Sequence, residues 1–132
     1  MSLIETLAEV KCDIDPKILE LSEEKSYTII HCTYTTSPKY HSNWWVNIYP
    51  TTYLVNILDG EKLQMIHAIG IPLPPQKRYL QRRGDKVTFT LIFPKVPKDW
   101  SVFNLIENSN GDGLKALNLS RNDSGIYRVR VS

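Results

Sequence analysis

Hydrophobic and polar residues alternate with a period of two along most of this chain. Because successive side chains of a β-strand point to opposite faces of the sheet, this period predicts antiparallel strands, each with one buried face. The clearest case is 87–93, where every second residue is Val, Phe or Leu. The pattern predicts eight strands and a candidate ninth (114–119), the eight being residues 7–14, 27–34, 44–49, 52–58, 62–69, 87–93, 101–107 and 126–131.

The alternation also assigns side chains to the core or to the surface. In 44–49 it places Trp44 on the buried face and Trp45 and Tyr49 on the outward face. It turns Cys12 and Cys32 inward on two strands that can be neighbours, so a bond between them is left open. The side chains expected to be largely buried are Tyr53, Leu63, Phe89, Leu91, Phe93 and Tyr127.

Turn residues and prolines predict the connections. Asp59-Gly60 lies between two apolar runs and predicts a hairpin with a two-residue type I′ turn, in which both positions need a positive φ. The proline-containing stretches 71–76 and 93–99 predict that the strands before them end there. Residues 3–10 fit a helix about as well as a strand.

Strands this short and this closely spaced predict a β-sandwich. Three features resemble an immunoglobulin domain: Cys32 lies on a strand like B, Trp44 follows it, and 123–127 (DSGIY) resembles the turn into strand F. The second cysteine is replaced by Val129, and no strand follows residue 131 to serve as strand G. We therefore predict an all-β fold, an immunoglobulin-like antiparallel β-sandwich of about eight strands without the inter-sheet cysteine pair.

Length and composition define the general class of protein. A chain of 132 residues predicts a single domain, residues 1–132. Hydrophobic content of 42% and charged content of 23% are typical of a folded globular protein. No apolar run approaches the ~20 residues that span a bilayer, so no membrane insertion is expected. The first ten residues carry two glutamates and no base, which does not predict a signal peptide. Two cysteines leave the compartment undecided.

The net charge of +2 is divided unevenly. Residues 1–24 hold seven acids and two bases, and residues 25–132 hold seven acids and fourteen bases. The densest basic cluster is 76–86, with five bases and one acid. A solvated loop accounts for such a cluster. It contains one aromatic residue, Tyr79, so it does not predict a nucleic-acid partner.

The order of segments across 27–107 carries a second resemblance. A Thr-Tyr-Leu strand leads to an Asp-Gly hairpin and then to Gly-Ile-Pro-Leu; a Phe-x-Leu-x-Phe-Pro strand and a strand ending in Ile-Glu follow. This order resembles a bacterial accessory β-sandwich domain. The matching residues are Thr52, Tyr53, Leu54, Asp59, Gly60, Gly70, Ile71, Pro72, Leu73, Phe89, Leu91, Phe93, Pro94, Pro97, Leu105, Ile106 and Glu107.

The resemblance implies a module of a longer, multidomain protein of host-associated bacteria, placed beside enzyme or repeat modules. It favours an extracytoplasmic setting, in the cell envelope or the periplasm. It carries no catalytic residues over to this chain. Residues 108–124 depart from the family's shorter connection.

No group of residues predicts catalysis, a metal or a cofactor. His31, His41 and His67 show no metal-ligand spacing. His31 and Cys32 are adjacent on a strand, so their side chains point to opposite faces. A thiol on an apolar face is hard to ionise. We expect that the chain is not an enzyme.

Aromatic residues are the better candidates for binding. Trp45 and Tyr49 lie on one outward face, and Trp100 lies in the loop PKDWS. Exposed aromatic rings stack on sugars or anchor protein interfaces, although such rings also pack under loops of their own domain. We expect a protein partner, either another chain or a neighbouring module, at Trp45, Tyr49 and Trp100. A glycan is the alternative, favoured by Asn47 between the two rings and disfavoured by the absence of a second aromatic row.

Overall fold

The computed structural model describes residues 27–36, 44–81, 84–108 and 113–132, and the regular structure in these ranges is entirely β. The predicted strand at 7–14, the helical alternative at 3–10 and Cys12 lie outside the described residues. The strands are β1 (Tyr27–Thr35), β2 (Trp45–Val46), β3 (Tyr53–Asn56), β4 (Lys62–Gln64), β5 (His67–Ile69), β6 (Arg78–Tyr79), β7 (Lys86–Pro94), β8 (Val102–Ile106), β9 (Lys115–Ser120) and β10 (Ile126–Val131).

These strands form two four-stranded sheets and one short ribbon. The first sheet has the order β10-β1-β7-β5, the second has the order β4-β3-β8-β9, and β2 pairs with β6. One hydrophobic cluster draws Leu91 and Phe93 from the first sheet and Leu54 and Phe103 from the second. The all-β prediction is confirmed, and the arrangement is compatible with a β-sandwich. β9 confirms the candidate ninth strand, whereas β6 was not predicted.

The centre of the first sheet is buried on both faces. Phe89, Leu91 and Phe93 of β7 are buried as predicted. On the opposite face of the sheet, Ile92 packs with Ile29 of β1 and with an isoleucine of β10 in a second, smaller cluster. This double burial explains why β1 and β7 carry apolar residues in both registers of the alternation.

The predicted hairpin forms, but its turn differs from the prediction. β3 pairs with β4, and Asn56 bonds both to Glu61 and to Gly60, so four residues form the loop. Within this loop, only Gly60 has a positive φ, of 76°. The prediction of a two-residue type I′ turn is therefore wrong. Asp59 Oδ1 accepts the N–H of Glu61 at 2.8 Å, and this Asx-type bond favours the longer loop.

The predicted strand 62–69 divides between the two sheets. Its first part, β4, pairs with β3, and its last part, β5, pairs with β7. Between them, Met65 donates its N–H to Thr52 O of the second sheet, and Ile66 donates its N–H to Ile92 O of the first. Consecutive residues thus bond to opposite sheets, and this segment joins them along one side.

Among the described residues, one residue pair joins the other side of the two sheets. Lys115, at the start of β9, and Ser132, after β10, exchange two backbone hydrogen bonds with N···O distances of 3.1 and 3.0 Å. Two residues that exchange both N–H···O bonds in this way form the hydrogen-bonded pair of an antiparallel ladder. Backbone hydrogen bonds therefore join the two sheets along both of their sides.

The burial prediction holds only in part for Tyr53 and Leu63. Tyr53 is half-buried, with Lys62 Nζ 4.6 Å from its ring centroid. The buried residue of β3 is its neighbour Leu54, which lies opposite Leu105 of β8. Leu63 is half-buried against the core. The run 52–58 is apolar in both registers, so its partners decide which face is inside.

The strand assignment taken from immunoglobulin domains is also wrong. β10 lies parallel and directly beside β1, with Val129 opposite Cys32. Strands B and F of an immunoglobulin domain lie in opposite sheets, so β1 and β10 do not correspond to them. The local turn chemistry is nevertheless present, because the Tyr127 hydroxyl accepts the backbone N–H of Asn122 at 3.0 Å. Cys32 is a free, buried thiol.

Candidate functional site

The short ribbon presents two aromatic side chains. Trp45 of β2 lies directly opposite Tyr79 of β6. Directly opposed residues project from the same side of a ribbon. Val46 and Leu80, the next residues of each segment, are buried. Trp45 and Tyr79 are 41% and 52% exposed, so the ribbon is anchored by its aliphatic residues and turns its rings outward.

The segment after β2 adds a third aromatic ring. Ile48 is buried and donates its N–H to Pro72 O at 3.0 Å. Asn47 Nδ2 donates to Gln76 O at 3.1 Å. These bonds hold 47–49 against the proline-containing loop and leave Tyr49 52% exposed. We refer to Trp45, Tyr49 and Tyr79 as the aromatic face.

A cavity of about 360 Å³ opens beside the aromatic face. Trp45 and Tyr49 line one part of it, so the two rings predicted to act together do border one space. Leu114 and the half-buried Tyr34 line another part. Glu107 and Gly113 also border the cavity.

Glu107 fixes the position of Tyr49. Its side chain is buried, and its Oε2 accepts the Tyr49 N–H at 2.9 Å while its Oε1 accepts the Leu114 N–H at 2.7 Å. Gly113 has a φ of +88°, and a Cβ placed there would lie 2.6 Å from Oε1. The carboxylate is thus enclosed by backbone and joins three segments of the cavity wall through charge-assisted hydrogen bonds.

One base, Lys77, lies on the aromatic face, and the buried Glu107 lines the cavity beside it. Lys77 Nζ lies 4.5 Å from the centroid of the Trp45 ring, in a cation–π contact. Arg78 is exposed but lies opposite the buried Val46, so it projects from the other side of the ribbon. The segments 44–50 and 71–81 that form the face contain these two bases and no acid.

Trp100 does not belong to this site, and the prediction that it is exposed for binding is wrong. It is only 1% exposed, and its ring packs against Phe103 with a centroid distance of 6.0 Å. Its indole N–H donates to Glu61 Oε1 at 2.9 Å. The loop PKDWS folds over the core, and the polar residues around Trp100 conceal this burial in the sequence. Tyr79, missed in the sequence, is the ring that joins Trp45 instead.

The residues weighed as catalytic or metal-binding do not converge. His31 Nδ1 lies 2.8 Å from Thr90 Oγ1, whereas Cys32 Sγ lies 3.8 Å from the carbonyl oxygen of Ile30. Burial raises the pKa of the Cys32 thiol far above its usual range. His67 is exposed on β5, and His41 lies outside the described residues. Within the described ranges, no group of three or more His, Cys, Asp or Glu side chains is placed to hold a metal ion.

Comparison with protein-family models, curated proteins and solved structures gives no match. The resemblance of 27–107 to a bacterial accessory domain therefore stays a prediction. In the part of the chain that the structure describes, no helix has the length and apolar character needed to cross a membrane.

Proposed function

We propose that this chain is a non-catalytic accessory domain that mediates protein–protein contact or positions neighbouring modules. The aromatic face is its contact surface. One observation carries the proposal: three large aromatic side chains are 41–52% exposed instead of packing under the domain's own loops, and two of them, Trp45 and Tyr49, border one cavity. Tyr and Trp are enriched at protein interfaces, where they fill pockets and supply much of the binding energy.

The surroundings of the rings support an interface. Leu73, in the loop held against 47–49, is 42% exposed and extends the apolar area beyond the rings. A protein interface needs on the order of 800 Å² per partner, with apolar residues around the anchors. The cavity beside Trp45 and Tyr49 offers a recess for a side chain of the partner, which is how interface anchors gain most of their burial.

A glycan is the second candidate, because Tyr79 beside Trp45 provides the second aromatic row that the sequence did not show. Two observations favour the protein over the sugar. Lys77 covers the Trp45 ring, and a stacked sugar would displace a contact worth about 0.5–1 kcal/mol at an exposed site. Both oxygens of Glu107 accept backbone N–H groups, so that carboxylate is not free to orient sugar hydroxyls.

The proposal also covers the protein to which the domain belongs and the compartment in which it works. We infer a module of a longer bacterial protein in the cell envelope or periplasm, on the strength of the segment order across 27–107. The immunoglobulin-like description is kept in the sense of two facing, largely antiparallel sheets. The side-by-side pairing of β1 and β10 does not support a closer relationship.

The proposal is tested with a photo-cross-linking amino acid placed at Tyr49. A matched control carries the same group at Leu117, which is also 52% exposed but lies on β9 away from the cavity lining. In an extract of the producing cells, we expect a defined protein adduct from position 49 and not from position 117. Trp45→Ala should abolish the adduct and change the free energy of unfolding by less than about 1 kcal/mol.

Two outcomes would redirect the proposal. Equal adducts at both positions, or an adduct that Trp45→Ala does not affect, would show that the aromatic face is not the contact surface. Saturable binding to a defined sugar on a glycan array, lost in Trp45→Ala, would replace the protein partner by the glycan.

A further inference from the structure

The first sheet has an outer face, turned away from the second sheet, that is buried like a core. Ile126, Ile29 and Ile92 form one row across β10, β1 and β7 and are 3%, 0% and 7% exposed. In the next row, His31 and Thr90 are also buried. The solvated face of an antiparallel sheet carries exposed polar side chains, so this burial indicates that a further layer covers the outer face.

In the described ranges, hydrophobic packing on the outer face comes only from the sheet itself. The cluster consists of Ile29, Ile92 and Ile126 with the half-buried Tyr27, and all four belong to β1, β7 or β10. The second sheet packs on the inner face, through the cluster that holds Leu54. The covering layer is therefore supplied by residues outside the described ranges or by another chain.

The outer face is basic. Its positions, which alternate with those of the inner face along β1, β5, β7 and β10, include Lys86, Arg128 and Arg130 and no acid. Nε and Nη2 of Arg128 are shielded from solvent. A charged group in such a position is normally paired with an opposite charge, so the covering layer should bring carboxylates.

Residues 1–26 of the chain match the outer face in charge, composition and length. Residues 1–24 hold seven acids and two bases, and ten of the nineteen residues from 3 to 21 are Ala, Val, Ile, Leu or Cys. This segment leads directly into the sheet at the start of β1. A strand of nine residues such as β1 is roughly 30 Å long, whereas 26 residues can extend to roughly 85 Å, so the segment can cross the face while it stays joined to β1.

We propose that residues 3–24 of this chain pack over the outer face, with aliphatic side chains on the isoleucine row and acids at Arg128 and Arg130. The segment is then an intramolecular partner of the first sheet, and the outer face is not available to another protein. This inference goes beyond the proposed function and concerns a different surface from the aromatic face, so either can fail without the other.

The contact is tested in the full chain with a nitroxide spin label on Cys12 and isoleucine methyl signals in NMR. Cys32, the other cysteine, is buried, so the label reacts at Cys12. We expect the three isoleucines of the outer face to lose most of their signal intensity. Ser2→Cys in a Cys12→Ser background repeats the measurement with the label outside 3–24, so that a label which itself dislodges the segment is recognised.

A label on the hairpin loop between β3 and β4 provides the matched control. Leu58, in that loop, is 80% exposed. With Leu58→Cys in the Cys12→Ser background, we expect the signal of the neighbouring Ile57 to be broadened. The signals of Ile29, Ile92 and Ile126 should keep their intensity.

The charges are tested by the rate of trypsin cleavage after Lys11 and Lys17, the two bases of the segment, because cleavage follows the population in which the segment is open. An exposed ion pair shifts an equilibrium by about 1.5- to 5-fold. Arg128→Gln, Arg130→Gln should therefore raise the rate by roughly 2- to 25-fold if the two contributions add. Lys77→Gln, Arg78→Gln removes two bases from the ribbon and should leave the rate unchanged.

Three outcomes would overturn the inference or part of it. Isoleucine signals that stay unbroadened with the label at either position would show that residues 3–24 do not cover the outer face. Broadening in a mixture of spin-labelled chain with isotope-labelled chain that carries no spin label would assign the contact to a second copy. A cleavage rate that Arg128→Gln, Arg130→Gln does not change would remove the acids from the contact.

Discussion

Trp100 donates its indole N–H to Glu61 across 39 residues of sequence, with an Nε1···Oε1 distance of 2.9 Å. The bond joins the loop before β8 to the hairpin loop between β3 and β4. It gives a fully buried tryptophan a partner for its only polar atom, and a buried indole N–H without a partner would be costly.

Removing this acceptor should destabilise the fold. Glu61→Ala is expected to lower the free energy of unfolding by about 1–2 kcal/mol, because the buried indole N–H then has no acceptor. Glu61→Gln keeps a carbonyl oxygen at the same place and should cost less than about half of that. Urea denaturation of both variants measures the difference. Equal losses would mean that the hydrogen bond is not what Glu61 contributes.

Two glycines with similar backbone angles should respond differently to the same substitution. Gly60 has a φ of +76°, and a Cβ added there would meet open space, so Gly60→Ala should cost only the strain of a left-handed residue, about 1–2 kcal/mol. Gly113→Ala adds a contact of 2.6 Å with Glu107 Oε1 to a φ of +88°. We expect it to cost at least about 1 kcal/mol more.

The same two variants also test the binding site. Gly113→Ala forces Glu107 aside and so releases the Tyr49 N–H, which should weaken binding at the aromatic face while Gly60→Ala leaves it unchanged. Thermal or urea unfolding gives the stability difference, and the cross-linking yield at position 49 gives the second readout. Identical behaviour of the two variants would contradict the role assigned to Glu107.

The inward face of β7 should dominate the stability of the core. Phe89→Ala and Phe93→Ala are each expected to cost about 3–5 kcal/mol, since both side chains are buried and leave large cavities. Thr88→Ala, an exposed change on the same strand, should stay within about 0.5 kcal/mol. Losses below about 1 kcal/mol at both phenylalanines would contradict the assigned face.

Cys32 should make the fold sensitive to alkaline pH. Burial raises the pKa of its thiol, so it stays protonated in the folded state, whereas in the unfolded chain it ionises above roughly pH 8.5. The unfolded state then binds fewer protons, and stability falls as the pH rises, by up to about 1.4 kcal/mol per pH unit.

The substitution Cys32→Ala isolates this contribution, because all other titrating groups remain in both proteins. The stability advantage of the wild type over the variant should shrink by about 2 kcal/mol between pH 8 and pH 10. Urea denaturation at the two pH values, with a reducing agent present, measures it. A constant difference would show that the thiol ionises as readily in the folded state as in the unfolded chain.

Alternation along the chain was sufficient to find the strands and several of their faces. β7 and β10 follow it, and the outward placement of Trp45 and Tyr49 does too. It was right only in part where a segment is apolar in both registers, as at Tyr53, because only the partner strand decides which face is inside.

Alternation also cannot say which sheet a strand joins. Residues 62–69 read as one strand, yet the hydrogen bonds of Met65 and Ile66 diverge to different sheets. The burial of Trp100 and the place of Tyr79 in the candidate site were missed for the same reason, since both depend on residues distant in sequence. Trp100 is buried by a partner 39 residues away, and Tyr79 joins Trp45 only through pairing of distant segments.

The parallel pairing of β1 with β10 has a consequence for synthesis of the chain. Tyr34 and its partner Val131 are 97 residues apart. At about 5–20 residues per second, a ribosome needs roughly 5–20 s to make the second after the first. Once β7 has been made, the β7 edge of β1 can be paired, but its other edge has no neighbour until β10 follows. A nascent chain with such an open edge can pair with another chain, so we expect this protein to be more exposed to such pairing during translation than a domain built only from adjacent hairpins.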